Sequence, residues 1–197
     1  MIENLARKER SRPDWLKIKM DTSSDFLRTR QLMRSQGLNT VCEEARCPNI
    51  YECWGRQTAT IMILGNTCTR SCGFCSVKTG KPLVVDKEEP YRTAVAVKSM
   101  NLRHVVITSV DRDDLKKDYG AGTWAQTIDT IRKLTPECTI EVLTPDFRNY
   151  APAYNQVFNA RPDIFSHNIE CVERVSRQVR PQSSWSRSLS LLKASVN

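Results

Sequence analysis

The chain has 197 residues, 40 % hydrophobic and 26 % charged, which is enough for one domain with a packed core and ordinary for a globular protein. No apolar run reaches membrane-spanning length, and Met1-Ile2-Glu3-Asn4-Leu5-Ala6-Arg7-Lys8 lacks the apolar centre of a secretory signal. The formal charge of +8 fits a solvated basic surface or an acidic or phosphate-bearing partner; the basic residues are scattered, without an aromatic–basic motif, which argues against nucleic acid.

Residues 1–14 are polar and basic, as in a loosely ordered arm, and Trp15-Leu16-Lys17-Ile18-Lys19 is expected to pack back on the body. Residues 25–37 predict a short amphipathic helix with Phe26, Leu27 and Met33 on one face, Ser24 or Asp25 as its cap and Gly37 as its stop. Cys42, Cys47 and Cys53 follow, spaced Cys-x4-Cys-x5-Cys with no histidine nearby to complete a zinc finger. Glu43 and Glu44 beside them fit a helix start or a surface better than ligands.

From here the chain alternates. Residues 58–64 predict a strand, and Cys68-Thr69-Arg70-Ser71-Cys72-Gly73-Phe74-Cys75 comes directly after it. A helix over 91–100, with Ala94 and Val97 inward, leads to His104-Val105-Val106-Ile107-Thr108, a run typical of a strand buried on both faces. Trp124, Ile128 and Ile131 recur at helical steps within 124–134. Strands are expected at 139–143 and 163–166, a short helix at 153–158 and a last helix at 188–194. The alternation implies a parallel sheet with right-handed crossovers. The fold expected is α/β: a partial (β/α) TIM-like barrel of about four βα units over 58–197, behind a cysteine-rich extension over 1–57.

Eight cysteines, six of them between 42 and 75, read as metal ligands in a reducing interior. The Cys-x3-Cys-x2-Cys loop can hold three corners of an iron–sulfur cube. No further cysteine follows until Cys138, so one iron is left to bind something other than protein. Zinc, the alternative, would need a fourth ligand nearby, and disulfides would be more evenly spread. Two triplets, each one ligand short, imply two clusters or one shared six-ligand site.

Barrel ligands bind at the C-terminal ends of the strands. Four segments fall at that edge: the 68–75 loop, residues 108–114, residues 144–148, and His167-Asn168. They can converge on one pocket. Each residue there also has a plainer reading. Asp111, Asp113 and Asp114 would serve as a helix cap and solvated charge, Asp146 as a turn former, and His167 as a satisfied buried histidine. His104 begins its strand at the opposite edge and is read as structural, and Cys138 and Cys171 as free thiols.

The 68–75 loop resembles that of the radical S-adenosylmethionine (SAM) enzymes, and the two triplets together resemble the lipoyl synthase family. The matching stretches are Arg12-Pro13-Asp14-Trp15-Leu16-Lys17, residues 41–53, 58–75, 104–115 and 144–148, His167-Asn168-Ile169-Glu170, and Arg177-Gln178-Val179-Arg180-Pro181. The resemblance implies a barrel of the radical SAM type. Cys68, Cys72 and Cys75 would hold a 4Fe–4S cluster whose open iron takes SAM, cleaved on reduction to a 5′-deoxyadenosyl radical. Cys42, Cys47 and Cys53 would hold an auxiliary 4Fe–4S cluster consumed as the sulfur source. Ser109, Asp111, Arg112, Asp113, His167 and Asn168 would fall in the SAM-binding region. The implied reaction inserts sulfur at C6 and C8 of a protein-bound octanoyl chain. Its partners would be octanoylated lipoyl-domain or glycine-cleavage carrier proteins and a reductant such as ferredoxin or flavodoxin, with no nucleic acid and no membrane. The setting would be a bacterial cytoplasm, or a mitochondrion or plastid if the N-terminus is incomplete.

Two departures stand out. Tyr119-Gly120-Ala121 occupies the place of the family's Gly-Gly-Ala turn, and the chain stops at Asn197 before the family's Arg-Ser-Ser-Tyr segment, whose serine ligates the auxiliary cluster. Four strands against the eight of a full barrel imply a C-terminally truncated sequence with exposed, aggregation-prone strand edges. Two other readings use the same cysteines: a biotin-synthase-like sulfur inserter, which shares only the 68–75 spacing, and a non-catalytic iron–sulfur or zinc-binding module.

Overall fold

The computed structural model describes Pro13, Lys17, Met20, residues 22–56 and residues 58–196. Apart from Pro13 and Lys17, the expected arm and the packing of residues 15–19 lie outside the described residues.

Helix α1 (Ser24–Ser35) starts where the Ser23 hydroxyl accepts from the Phe26 N–H at 3.4 Å. It ends before Gly37, whose φ of +58° suits a helix stop. Phe26, Thr29 and Met33 face inward at three- and four-residue steps. Leu27, expected beside them, is 44 % exposed, because successive helical residues are turned about 100° from one another. Thr29 takes the inward place by donating its hydroxyl to the Trp54 carbonyl at 3.2 Å. The first cysteine triplet lies on and between two short helices, α2 (Val41–Glu44) and α3 (Ile50–Gly55). Phe26 stacks on Tyr51 and lies against Trp54, with ring centroids 5.3 and 5.5 Å away, and so fastens α1 to α3.

Strand β1 (Asn39–Thr40) runs antiparallel to β2 (Thr60–Ile63), with Thr40 opposite Ile61. The short pair β3 (Thr67–Cys68) and β4 (Lys78–Thr79) is a separate parallel ladder that gathers the second triplet into a closed loop. The main sheet continues through β5 (His104–Ser109), β6 (Thr139–Leu143) and β7 (Ile164–Ser166), in the order β1-β2-β5-β6-β7. Its four longer strands pair in parallel, as the alternation predicted: Ile61 lies beside Ile107, Ile107 beside Val142, and Val142 beside Phe165. The crossovers are α4 (Glu89–Ser99), α5 (Ala121–Leu134) and α6 (Ala151–Asn159). Val97, Trp124, Ile128, Ile131 and Val157 from these helices, with Ile61, Ile107 and Ile140 from the strands, are fully buried. Each aliphatic side chain so buried contributes roughly 1.5–3 kcal/mol. Met33, Leu38 and Trp54 from the N-terminal segment belong to the same core. Helices α7 (Glu173–Val179) and α8 (Trp185–Ala194) follow β7. Among the described residues the sheet does not close, and Ile164 on β7 is 43 % exposed at its edge.

Candidate metal centre

The loop carrying Cys68, Cys72 and Cys75 is fixed at its root by backbone geometry. After β2, Leu64 and Gly65 both turn through positive φ, +69° and +88°. Their N–H groups are held by one carboxylate, that of Glu89 on α4, at 2.6 and 3.3 Å. Burial keeps the Glu89 carboxyl above its usual pKa despite these two donors. Gly120 is packed so closely beneath that a Cβ there would lie 2.5 Å from Leu64 Cδ1.

Within the loop, the Cys68 sulfur accepts backbone N–H groups from Arg70 at 3.4 Å and Asp111 at 3.3 Å. Ser71 N–H donates to Gln182 at 2.9 Å and Gly73 N–H to the Val179 carbonyl at 2.9 Å, so the segment after α7 seals the loop's outer side. Arg180 from that segment donates to the Asn168 and Ile169 carbonyls at 2.7 and 3.3 Å and reaches the Cys72 thiol. Burial, with Asp111 close by, pushes the Cys68 thiol up to about 11. Burial raises Cys72 too, with Arg180 pulling the other way. A metal binding here must therefore displace thiol protons.

Beneath the loop lies a knot of charge that the sequence reading missed. The Arg70 side chain is 2 % exposed and pairs with Asp113 at 2.8 Å, Asp146 at 2.7 Å and Asp111 at 3.2 Å. Arg148 reaches Asp113 at 2.8 Å, and Arg187 on α8 lies 3.3 Å from Asp146. Burial alone would raise Asp113 and Asp146, but the arginines hold both below the ordinary carboxylate range. Asp111, buried among the other carboxylates, is pushed up to about 6 even with Arg70 beside it. The knot joins the loops after β2, β5 and β6 to α8.

A cavity of about 310 Å³ opens above this floor. Cys68, Cys72 and Cys75 form one side; Ser109 at the end of β5 and Asp111 after it, Thr144 after β6, and His167, Asn168 and Glu170 after β7 form another. The four strand ends thus converge as expected. Of the residues singled out from sequence, Ser109, Asp111, His167 and Asn168 line the cavity; Arg112 and Asp113 do not. Arg112 turns the other way, forking onto Asp114 at 2.8 and 2.9 Å and donating to the Leu64 and Leu83 carbonyls. Asp113 is spent in the knot. His167 is the satisfied histidine: Nδ1 lies 2.8 Å from the Thr144 carbonyl and Nε2 2.9 Å from the Ser188 hydroxyl. A carbonyl only accepts, so Nδ1 carries the proton and Nε2 accepts from Ser188; burial lowers the ring's pKa and keeps it neutral. Asp146 makes the expected turn, accepting from Arg148 N–H at 3.0 Å, and is also the knot's deepest carboxylate. His104 lies at the far end of β5, 3.3 Å from Glu141.

The segment that carries the first triplet borders the same cavity, though Cys42, Cys47 and Cys53 are not among its lining residues. Thr40 caps α2 through the Glu43 N–H at 3.2 Å, which places Glu43 and Glu44 in a helical first turn. Val41 and Ala45, on either side of Cys42, line the cavity wall. Burial raises the Cys53 thiol, and Cys42 and Cys47 add to the rise, so both lie within electrostatic reach of Cys53. Among the described residues no three His, Cys, Asp or Glu side chains are already drawn together as a preformed metal site, for zinc or for a cluster. The second triplet's one short loop, its sulfur-directed N–H donors and the open cavity beside it fit a cubane with one iron left free.

Comparison with known proteins agrees. Residues 62–196 match the model of the radical SAM superfamily, and residues 2–47 match the N-terminal domain of lipoyl synthase of that family. A protein of Rubrobacter xylanophilus named lipoyl synthase is 55 % identical over 187 residues, covering 95 % of this chain and 58 % of its own length. The chain thus spans rather more than half of that relative. A 4Fe–4S cluster and SAM are the cofactors this superfamily implies. By its match over residues 62–196, most of its length, the chain belongs to the radical SAM superfamily.

Proposed function

We propose that this chain forms the radical-generating and sulfur-donating part of a lipoyl synthase, inserting two sulfur atoms at C6 and C8 of an octanoyl chain carried on a lysine of an acceptor protein. One observation supports the reading: Cys68, Cys72 and Cys75 line one cavity at the strand ends, and Val41 and Ala45, from the short segment that carries Cys42, line it too. Cys68, Cys72 and Cys75 would hold one 4Fe–4S cluster, and Cys42, Cys47 and Cys53 a second that gives up sulfide. Bound together, the first cluster and SAM supply a carbon radical able to take hydrogen from an unactivated C–H bond, which offers no acid–base handle.

The protein's own work is positioning. Asn168, Glu170 and Arg180 present polar groups at one end of the cavity for the charged and hydroxyl-bearing parts of SAM. Val41, Met62, Val110 and Leu143 give the rest of the wall an apolar character suited to an alkyl chain and to excluding water. Neutral His167 ties the β6 and β7 loop ends to α8 without bringing a charge to a radical site. Octanoylated lipoyl domains or glycine-cleavage carrier proteins would be the acceptors. A low-potential donor such as ferredoxin or flavodoxin would supply electrons, drawn to a chain of charge +8. A reducing compartment, the bacterial cytoplasm in the first instance, suits eight unpaired cysteines. Anaerobic reconstitution followed by iron and sulfide counting tests this directly. Two clusters per chain are expected; a single one would remove the sulfur-donor role, and bound zinc would replace the reading with a structural module.

A further inference from the structure

We propose that Arg70 is a positioning residue that sets the reduction potential of a cluster on Cys68, Cys72 and Cys75. It does so by aiming two backbone N–H groups at the Cys68 sulfur and by neutralising the carboxylates behind it. The inference rests on the proposed function only as far as a cluster at these three cysteines.

Hydrogen bonds to the sulfurs and local net charge are two of the protein's means of setting such a potential. Arg70 acts through both. The two donors to the Cys68 sulfur are the N–H groups of Arg70, at 3.4 Å, and Asp111, at 3.3 Å. The Arg70 guanidinium, 3.2 Å from the Asp111 carboxylate, spans these same two residues. Thr69 reinforces the clasp through its N–H and hydroxyl, which donate to the Asp111 carbonyl at 3.0 and 2.9 Å. Behind the sulfur stand three carboxylates, Asp111, Asp113 and Asp146, against three guanidiniums, Arg70, Arg148 and Arg187. The knot is neutral as built. Without Arg70, and at a pH high enough to keep Asp111 ionised, it would hold one net negative charge next to the place where one electron must enter from an external donor. Without the charge of Asp113 it would hold one net positive charge.

The test is a redox titration followed by electron paramagnetic resonance on anaerobically reconstituted chain, comparing Arg70→Gln and Asp113→Asn with the unaltered protein. A unit charge about 10 Å away at an effective dielectric of about 20 changes the ratio of reduced to oxidised cluster by roughly tenfold. For one electron, tenfold is about 59 mV. Arg70→Gln is expected to shift the ratio toward oxidised and Asp113→Asn toward reduced; general loosening of the fold would not give opposite signs. No shift in either variant, or shifts of the same sign, overturns the proposal. Should Arg70→Gln retain no iron, Asp113→Asn decides alone: a rise supports the proposal, and no change or a fall overturns it. Loss of iron from both variants overturns the tuning role and leaves the knot a purely structural device. An unaltered chain that takes up no iron at Cys68, Cys72 and Cys75 refutes the proposed function instead, and iron analysis reveals that before any titration.

Discussion

Replacing Glu89 by alanine should loosen the root of the cysteine loop, and the structure sets the size of the effect. The Leu64 N–H donates to the Glu89 carboxylate at 2.6 Å in a buried setting, and the Gly65 N–H donates to it at 3.3 Å nearer the surface. Hydrogen bonds to a charged partner contribute about 1.5–3 kcal/mol each, and a buried donor left without one loses the full desolvation cost. Water can replace the carboxylate at Gly65 but not at Leu64, so Glu89→Ala should cost about 3 kcal/mol. For a domain of this size that is a fall in Tm of roughly 6–12 °C. Glu89→Gln keeps one oxygen acceptor in place and should lose about half as much. Urea denaturation of the metal-free protein, with Tm as a check, measures both. An alanine variant within about 0.5 kcal/mol of the unaltered protein would show that the 64–65 turn holds itself and that this reading of Glu89 is wrong.

Gly120→Ala should be costly for two reasons: a φ of +88° strains any residue with a Cβ, and that Cβ would meet Leu64 Cδ1 at 2.5 Å. The left-handed backbone alone costs about 1–2 kcal/mol, so a Tm unchanged by this substitution would contradict the packing described. His167 gives a pH dependence. Its burial lowers its pKa below the ordinary 6.5, so the unfolded chain binds the proton more readily than the folded one. Its contribution to stability is therefore complete at pH 7 and is lost progressively as pH falls below about 6.5. Denaturation of His167→Gln at pH 7 and at pH 5 should show a smaller loss of stability on acidification than the unaltered protein shows; an equal loss would place the proton elsewhere.

The strands were legible because they are continuous apolar runs: Thr60–Ile63, His104–Ser109 and Thr139–Leu143 are each within two residues of expectation. Helix starts were less so. Helix α5 begins three residues before Trp124, at Ala121, because Gly120 can adopt the left-handed turn that launches it, while Gly122 and Thr123 are weak helix formers. Helix α7 escaped notice because Ser176 is its only buried residue, so it carries no apolar stripe. Leu27 was assigned the inward place that Thr29 holds, since hydrophobicity favoured leucine and only the tertiary bond to Trp54 favours threonine. At the site, the place of Cys68, Cys72 and Cys75 beside the cavity was legible from their position directly after the first long strand. Arg70 was not: its partners Asp111, Asp113 and Asp146 lie 41, 43 and 76 residues away in sequence, and only the meeting of three strand-end loops brings them together. The same meeting separates Arg112 from its neighbour Asp111, one buried and turned away to Asp114 and the other facing the cavity.

The division of labour between the two triplets is tested most directly by replacing Cys42, Cys47 and Cys53 together with alanine and measuring SAM cleavage and sulfur insertion side by side under strong reductant. SAM cleavage should survive while sulfur insertion is abolished. Loss of both activities in that variant would contradict the account, since the radical-forming site would then depend on the cysteines assigned to sulfur donation.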